Sequence, residues 1–188
     1  SVDYMTSKQD HWAHKLPGGV VGETGPHAVY LSLAFLKNVK DVHVRRMKLL
    51  PQYPWSIAED IRIDLIADNG MSSITLTYGS IQTTAEIDII GTKKMLRLDL
   101  QSRTLVEHKR PDLAPSTVGK SVLSTVYQTS KSLVSNAVRY ACSRNLDPHY
   151  RGILRFLDWV SGRGDYPATG KDGKRDLAVM EMIVQRMH

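Results

Sequence analysis

The residues best suited to chemistry lie in a glycine-rich run near the start of the chain, H-K-L-P-G-G-V-V-G-E-T-G-P-H-A-V-Y-L over residues 14–31. Its glycines lack a Cβ atom, so the backbone here can approach a ligand closely. Pro26 has the fixed φ of a first helical turn, and we predict a helix from about Pro26 to Lys37. Glu23 and His27 share a helical face if that helix also includes Glu23. A carboxylate beside an imidazole is a pair that can transfer protons.

The same run also has a purely structural interpretation. A glycine-rich turn followed by a helix start needs no ligand, and His27 would then be a hydrogen-bonded packing residue. The residue types alone leave both interpretations open.

Residues just before the glycines add to the candidate site. Four of them could line a substrate pocket, with Lys15 suited to a carboxylate or phosphate: His11, Trp12, His14 and Lys15. A solvated or packing segment is an equal alternative. Four side chains could be drawn as a zinc set: His11, His14, Glu23 and His27. Their H-x-x-H spacing lacks a helical or knuckle context, so we predict no metal site.

Three segments in order resemble one enzyme family. Gly18–Tyr30 reads G-G-V-V-G-E-T-G-P-H-A-V-Y, which is similar to the G-G-x-x-x-D-x-G-x-H-x-x-D signature of the Gfo/Idh/MocA oxidoreductases. Residues 59–100 resemble the sheet segment of that family, and residues 149–183 resemble its closing helices and their linking loop. The resemblance therefore covers nearly the whole chain.

The resemblance implies a reaction and site roles. Family members move hydride between a nicotinamide cofactor, NAD or NADP, and a sugar- or polyol-like substrate, and the hydroxyl proton needs a partner. His27 would be the general acid/base or orient the substrate, and Glu23 replaces the family's aspartate beside it. Tyr30 replaces a second aspartate and is assigned to substrate binding. Three glycines are assigned to the cofactor: Gly19, Gly22 and Gly25.

The other half of the family pattern is missing from this sequence. There is no G-x-G-x-x-G turn and no E-K-P motif with its catalytic lysine. Residues 1–188 therefore resemble the C-terminal, substrate-side domain alone, as a single domain whose partners are a small-molecule substrate and an N-terminal Rossmann domain. We expect this chain alone to be inactive and to bind no cofactor tightly. The alternative is a catalytically inactive binding or assembly module of the same fold.

Composition narrows the class of protein. Hydrophobic residues make up 41% of the 188, which is enough for a core. No long apolar run or signal peptide is visible, so we expect a cytoplasmic protein without membrane contact. The lone Cys142 sits in an apolar pattern and is expected to be buried. The whole net charge of +6 lies in residues 101–188, but no nucleic-acid-binding motif accompanies it, so we expect a solvated surface and no nucleic-acid partner.

The hydrophobic pattern predicts an α+β fold with one open, mainly antiparallel sheet and helices packed on one face. Strands are predicted over residues 42–50 and around residues 61–65, 74–78, 85–89 and 96–100, with Asp68-Asn69-Gly70 as a turn. Helices are predicted through residues 118–141, 148–161 and 177–187, the first with Val118, Val122 and Val126 on its apolar face. The open sheet face, with residues such as Arg62 and Asp88, is expected to pair with a second copy of the chain.

Overall fold

The computed structural model describes residues 4–142, 148–165 and 168–187. The chain folds into two compact units. The first unit comprises Ser1–Ile81 and Tyr166–His188, and the second comprises Gln82–Asp165. The predicted α+β class is confirmed, whereas the assignment of residues 1–188 to one domain stays a prediction.

The elements follow one another in a simple order. The first unit begins with two helices and three strands: α1 (Tyr4–Ser7), α2 (Val20–Leu33), β1 (Val39–Met47), β2 (Asp60–Ala67) and β3 (Gly70–Thr77), with a 3₁₀ turn at Trp12–Lys15. The second unit follows with three strands and two helices: β4 (Glu86–Ile90), β5 (Met95–Asp99), β6 (Thr104–His108), α3 (Pro115–Cys142) and α4 (Pro148–Val160). The chain then returns to the first unit as α5 (Gly170–Arg186).

The first unit is built around an antiparallel sheet in the order β1-β2-β3. Alternation along β2 buries Ile61, Ile63 and Leu65 on one face, while Arg62 on the other face is exposed. The apolar face packs against α2 and α5, which contribute Val29 and other aliphatic side chains to the same cluster. Burial of this apolar surface is the main favourable term in the folding of the unit.

The second unit has a second antiparallel sheet, in the order β4-β5-β6. Its strands alternate as predicted, but their apolar side chains are only half-buried. Of the described residues in Gln82–Asp165, Val106 is the only apolar one that is buried. The single predicted sheet is therefore two three-stranded sheets in this structure. The segment between Thr77 and Glu86 forms no strand, so β3 and β4 do not pair.

Helix α3 departs from the prediction in the face that it presents to β6. Gln128 binds both backbone groups of Glu107, donating to its oxygen at 2.9 Å and accepting from its nitrogen at 2.9 Å. Asn136 donates to the oxygens of Ser102 and Arg103. The apolar residues Val122, Val126, Leu133 and Val138 are exposed, as is Cys142, which was expected to be buried. The reason is that β6 is an edge strand whose free backbone groups need polar partners.

Two boundaries also differ from the prediction. Helix α2 begins at Val20 rather than Pro26 and ends at Leu33, so Pro26 lies inside it. Strand β6 was not predicted, because T-L-V-E-H carries little alternation. A helix cap expected at Asp147 lies outside the described residues. Among the described residues, no helix is both long and apolar enough to cross a membrane.

Candidate functional site

The early start of α2 places Glu23 and His27 on one helix, one turn apart. Gly18 and Gly19, with φ of 80° and 60°, turn the chain into its first residue, Val20. Both angles are in the left-handed region, which favours glycine. Glu23 is half-buried and His27 is exposed. Neither side chain forms a hydrogen bond or ion pair with another described residue, so both polar groups are available to a ligand.

Tyr30 extends this pair into a stripe. Its ring centroid lies 6.1 Å from that of His27, with the two planes at 80°. This is an edge-to-face arrangement, which aromatic rings favour. Tyr30 is 47% exposed. Glu23, His27 and Tyr30 therefore form one accessible stripe along α2, opposite the face that is packed in the core; we call it the α2 stripe.

Other atoms of the protein lie close beside the glycines assigned to the cofactor or bond to their amide groups. A Cβ atom added at Gly25 would lie 3.1 Å from the terminal methyl of Met180 in α5, and one at Gly22 would collide with the carbonyl oxygen of Pro17. The Gly19 amide donates to Leu16 at 2.8 Å, and the Gly22 amide donates to Gly19 at 2.9 Å.

These contacts argue against the assignment of Gly19, Gly22 and Gly25 to the cofactor, which stays a prediction. A dinucleotide cradle needs free amide groups and open space next to the backbone. Here the amides of Gly19 and Gly22 are already bonded, and the space beside Gly22 and Gly25 is filled. The three glycines are explained by close packing of α2, and these residues do not fit the pyrophosphate of NAD or NADP.

The residues before the glycines divide into two groups. His14 Nε2 lies 2.9 Å from the oxygen of Met5 and 3.1 Å from that of Lys8, and since carbonyls only accept, Nε2 carries the proton. His14 therefore bonds the backbone at Met5 and Lys8, which argues against its assignment to substrate binding; that assignment stays a prediction. Trp12 is 53% exposed, and Lys15 is exposed as well. These two side chains remain accessible.

The loop between β1 and β2, residues 48–59, lies beside the start of α2, and the sequence pattern indicated no role for it. Glu59 is fully buried, and its Oε2 accepts from the amides of Leu49 at 2.6 Å and Leu50 at 3.1 Å. The Lys48 ammonium donates to three backbone oxygens of the same loop, those of Tyr53, Pro54 and Ser56. Charge-assisted bonds of this kind are stronger than neutral ones, so the loop is held in one conformation. A lone glutamate before a strand gave no sequence signal of this role.

The same loop is joined to the segment that precedes α2. Trp55 donates from Nε1 to the oxygen of Thr6 at 2.9 Å. Ile57 lies against Gly19, where an added Cβ would come within 3.4 Å of it. Trp55 is thus an anchor, and the entry to α2 is held from two sides.

The α2 stripe is an open surface. One surface depression lies beside Arg45 and Arg186 and another lies in the second unit, and neither is lined by Glu23 or His27. Within residues 4–142, 148–165 and 168–187, no three histidine, cysteine, aspartate or glutamate side chains are grouped to hold a metal ion. The imidazole, carboxylate and phenol of the stripe can form hydrogen bonds with a ligand, and the imidazole can accept or give a proton.

Comparison with known proteins gives little more. No protein-family model matches the chain, and no curated protein does. Among solved structures, it is similar to an oxidoreductase from Thermotoga maritima, with 18% identity and a TM-score of 0.39. That similarity covers 68% of this chain and 42% of the other, so this chain spans less than half the length of that structure.

Proposed function

We propose that this chain is the substrate-side domain of an NAD(P)-dependent oxidoreductase that acts on a small sugar- or polyol-like molecule. The observation that carries the proposal is the α2 stripe. It presents Glu23, His27 and Tyr30 together on an accessible helix face, in the order of the signature that this segment resembles. Trp12 and Lys15, both accessible in the preceding segment, would add substrate contacts.

The residues of the α2 stripe are suited to the transfer of the hydroxyl proton in such a reaction. Oxidation of a carbinol releases a hydroxyl proton as hydride leaves the carbon, and reduction returns it. The exposed imidazole of His27 would accept or give that proton. The carboxylate of Glu23, one turn earlier, would hold the imidazole or bond a neighbouring substrate hydroxyl. Tyr30 would bond a further hydroxyl through its phenol.

We place the cofactor elsewhere, because the packing around Gly19, Gly22 and Gly25 speaks against a dinucleotide cradle at these three residues. In this proposal NAD or NADP is held by a separate dinucleotide-binding domain, which is also the protein partner of this chain. Titration calorimetry with NADH and NADPH should therefore detect no binding to residues 1–188 in the micromolar range. Micromolar affinity would contradict this division of labour.

His27→Ala tests the catalytic role in the protein that carries both domains. Loss of a general acid/base lowers kcat by about 10²- to 10⁴-fold, while the dissociation constant of the cofactor should stay within about twofold. His43→Ala is a matched control, because His43 is an exposed histidine on β1. An unchanged kcat in His27→Ala, or an equal loss in the control, would remove His27 from the reaction.

The second candidate function is a binding or assembly module that has lost catalysis. The presence of Tyr30 where the resembled signature has a carboxylate favours it. The two functions separate on Tyr30→Asp, which restores the signature residue. Turnover that rises in this variant indicates an active enzyme, whereas the absence of turnover in both forms, with substrate binding retained, indicates the module.

Self-association through a sheet is the third part of the proposal. The predicted face included residues of both sheets, such as Arg62 and Asp88, but these now lie on separate sheets. On the exposed face of the first sheet, Arg62 lies directly opposite Arg45, with Thr75 on its other side. Like charges in opposite positions are unfavourable, so an acidic group from a second copy would relieve them.

Sedimentation at micromolar concentration tests the association. A lasting interface should bury more than about 1,000 Å² in total, and a dimer of that size should persist. Arg62→Ala should weaken it by removing one of the two positive charges that the acidic group would contact. A monomer at every concentration would exclude this interface for residues 1–188.

A further inference from the structure

A surface depression of about 470 Å³ lies in the second unit, between the end of β6 and the first turns of α3. Lys109, just after β6, lines one side of it. The other side is a helical stripe with i, i+3, i+4 and i+7 spacing, formed by Thr117, Lys120, Ser121 and Ser124. The depression therefore combines ammonium groups with hydroxyl groups. None of these residues belongs to the α2 stripe.

The two lysines of this depression have no acidic partner among the described residues. Lys109 and Lys120 are exposed, and neither forms an ion pair or a hydrogen bond with another described residue. The one acidic residue in the lining, Glu107, is already paired, since its Oε2 lies 2.6 Å from the ammonium of Lys94. Two cations without a counter-ion thus face the same space, which favours an anionic ligand.

A third cation is bonded to one of the residues that line the depression. Arg110 donates from Nη2 to the hydroxyl oxygen of Ser121 at 3.2 Å. Ser121 is only 8% exposed, so the guanidinium is anchored to a buried group. Its remaining N–H groups are donors in a fixed plane, a geometry that suits the oxygens of a phosphate.

A carboxylate lies just before the start of α3, so an anionic ligand is disfavoured at the helix terminus itself. Asp112 accepts from the Ala114 amide at 3.0 Å. The hydroxyl of Thr117 and this amide hold the pKa of Asp112 below its usual value, so its negative charge persists at neutral pH. A ligand would therefore meet the next two turns of the helix, with Lys120, Ser121 and Ser124.

The walls of the depression are also held together. Gln128 binds the backbone nitrogen and oxygen of Glu107 and donates to the hydroxyl of Ser124 at 3.0 Å. These bonds fix the helix against the strand next to the lysines. A ligand would therefore find most of its contacts already arranged, which reduces the entropy lost on binding.

We propose that this depression binds a small phosphate-bearing molecule. Two lysines of the lining, an arginine bonded to one of its serines and a row of hydroxyls supply donors, and phosphate oxygens are acceptors. Its volume lies in the range of about 300–1,000 Å³ that is typical of small-molecule sites. Lysine contacts phosphate as a point charge, and arginine adds directional bonds. The site is separate from the proposed oxidoreductase site, and a binding measurement tests it without reference to activity.

Inorganic pyrophosphate is the probe, titrated into the full 188-residue chain by calorimetry at low salt. We expect saturable 1:1 binding with a submillimolar dissociation constant. Lys120→Ala and Lys109→Ala should each weaken it about tenfold, the effect of losing one hydrogen bond from a charged donor. Lys93→Ala is the matched control, because Lys93 is an exposed lysine of the same unit outside the depression. It should leave the dissociation constant within about twofold.

Amide shifts in an NMR titration give a second measurement that does not depend on the variants. Pyrophosphate should shift the signals of Ser121 and Ser124 together, with the same dissociation constant. The proposal is overturned if 10 mM pyrophosphate gives no binding, or if Lys93→Ala weakens binding as much as Lys120→Ala. Binding of a single-stranded RNA more tightly than pyrophosphate, with several chains per RNA, would instead indicate a general polyanion surface and would also overturn it.

Discussion

Both units of the chain contain strands in which apolar and polar residues alternate, but the apolar residues are fully buried only in the first unit. In the first unit, β2 alternates and its apolar face meets α2 and α5, so Ile61, Ile63 and Leu65 have no exposed surface. In the second unit, β4 and β5 alternate as well, yet Ile87 and Ile89 remain half-buried and Ile90 is 82% exposed. Alternation thus fixes which side chains share a face, but a core also requires an apolar helix face on that side.

The helices explain the difference. Helix α2 turns its valines toward the sheet and leaves the α2 stripe outside. Helix α3 turns Gln128 and Asn136 toward β6 and leaves its apolar residues outside. The first helix is stabilised by burial, whereas the second is held to its strand by side-chain amides. Hydrogen bonds rather than apolar contact therefore connect helix and sheet in the second unit.

The largest expected effect is the loss of stability when an isoleucine is truncated, which should differ between the two units. Ile63→Ala removes a fully buried side chain from the first unit and should destabilise it by about 3 kcal/mol, since the site is closely packed. Ile90→Ala makes the same change at an exposed position of the second unit and should cost less than about 0.5 kcal/mol. Urea unfolding followed by hydrogen exchange in β2 and β4 measures both. Equal losses would mean that the second unit has an apolar core after all.

A second experiment compares two residues of the same helix. Gln128→Ala leaves the nitrogen and oxygen of Glu107 without their partner and should destabilise the second unit by about 1–2 kcal/mol. Val126→Ala removes an apolar side chain that is 58% exposed and should have almost no effect. Hydrogen exchange at the Glu107 amide is the measurement. A larger loss in Val126→Ala would show that α3 uses its apolar face.

The smallest effect concerns charge and pH in the second sheet. Arg97 makes two bonds to Asp88, at 2.7 and 2.8 Å, and holds the pKa of Asp88 below its usual value. A lowered folded-state pKa gives stability that is present above the unfolded value, near 3.9, and is lost as the pH falls through the folded value.

Asp88→Asn should therefore lower the thermal midpoint slightly at pH 7 and make no difference once Asp88 is protonated in the native protein. The pair is exposed, so the effect should be smaller than that of Gln128→Ala and should shrink with added salt. Thermal melts from pH 7 to pH 2 test this. A difference that grows toward low pH would contradict it.

The strands and most helices of the fold were predictable from the sequence. Alternation identifies Ile61, Ile63 and Leu65 as residues of one strand face, and the Asp68-Asn69 turn fixes the β2–β3 hairpin. The start of α2 was not predictable, since it depends on positive φ at Gly18 and Gly19 and on tolerance of Pro26 inside a helix. The orientation of α3 was missed because it depends on a strand edge that the pattern of the helix does not encode.

In the candidate site, too, some features follow from local spacing and others depend on residues distant in the sequence. Glu23 and His27 were found by spacing, which local geometry controls, and their common helix is now observed. The roles of His14 and Gly25 depend on distant residues, the carbonyls of Met5 and Lys8 in one case and Met180 in the other. Contacts of this kind leave no trace in the spacing of the residues themselves. The same limit applies to Glu59, whose buried carboxylate organises a loop ten residues before it.

The contact between α2 and α5 has a consequence for the order in which the molecule forms. Met180 fills the space beside Gly25, and Arg175 donates to the oxygen of Leu33 across a sequence separation of 142 residues. During synthesis, α2 leaves the ribosome long before α5 exists, and contacts at such separation form slowly. Until α5 has been synthesised, the valines of α2 lack the apolar side chains of α5 that complete their buried cluster. The helix that carries Glu23 and His27 should therefore become protease-resistant only when residues 170–186 have been made.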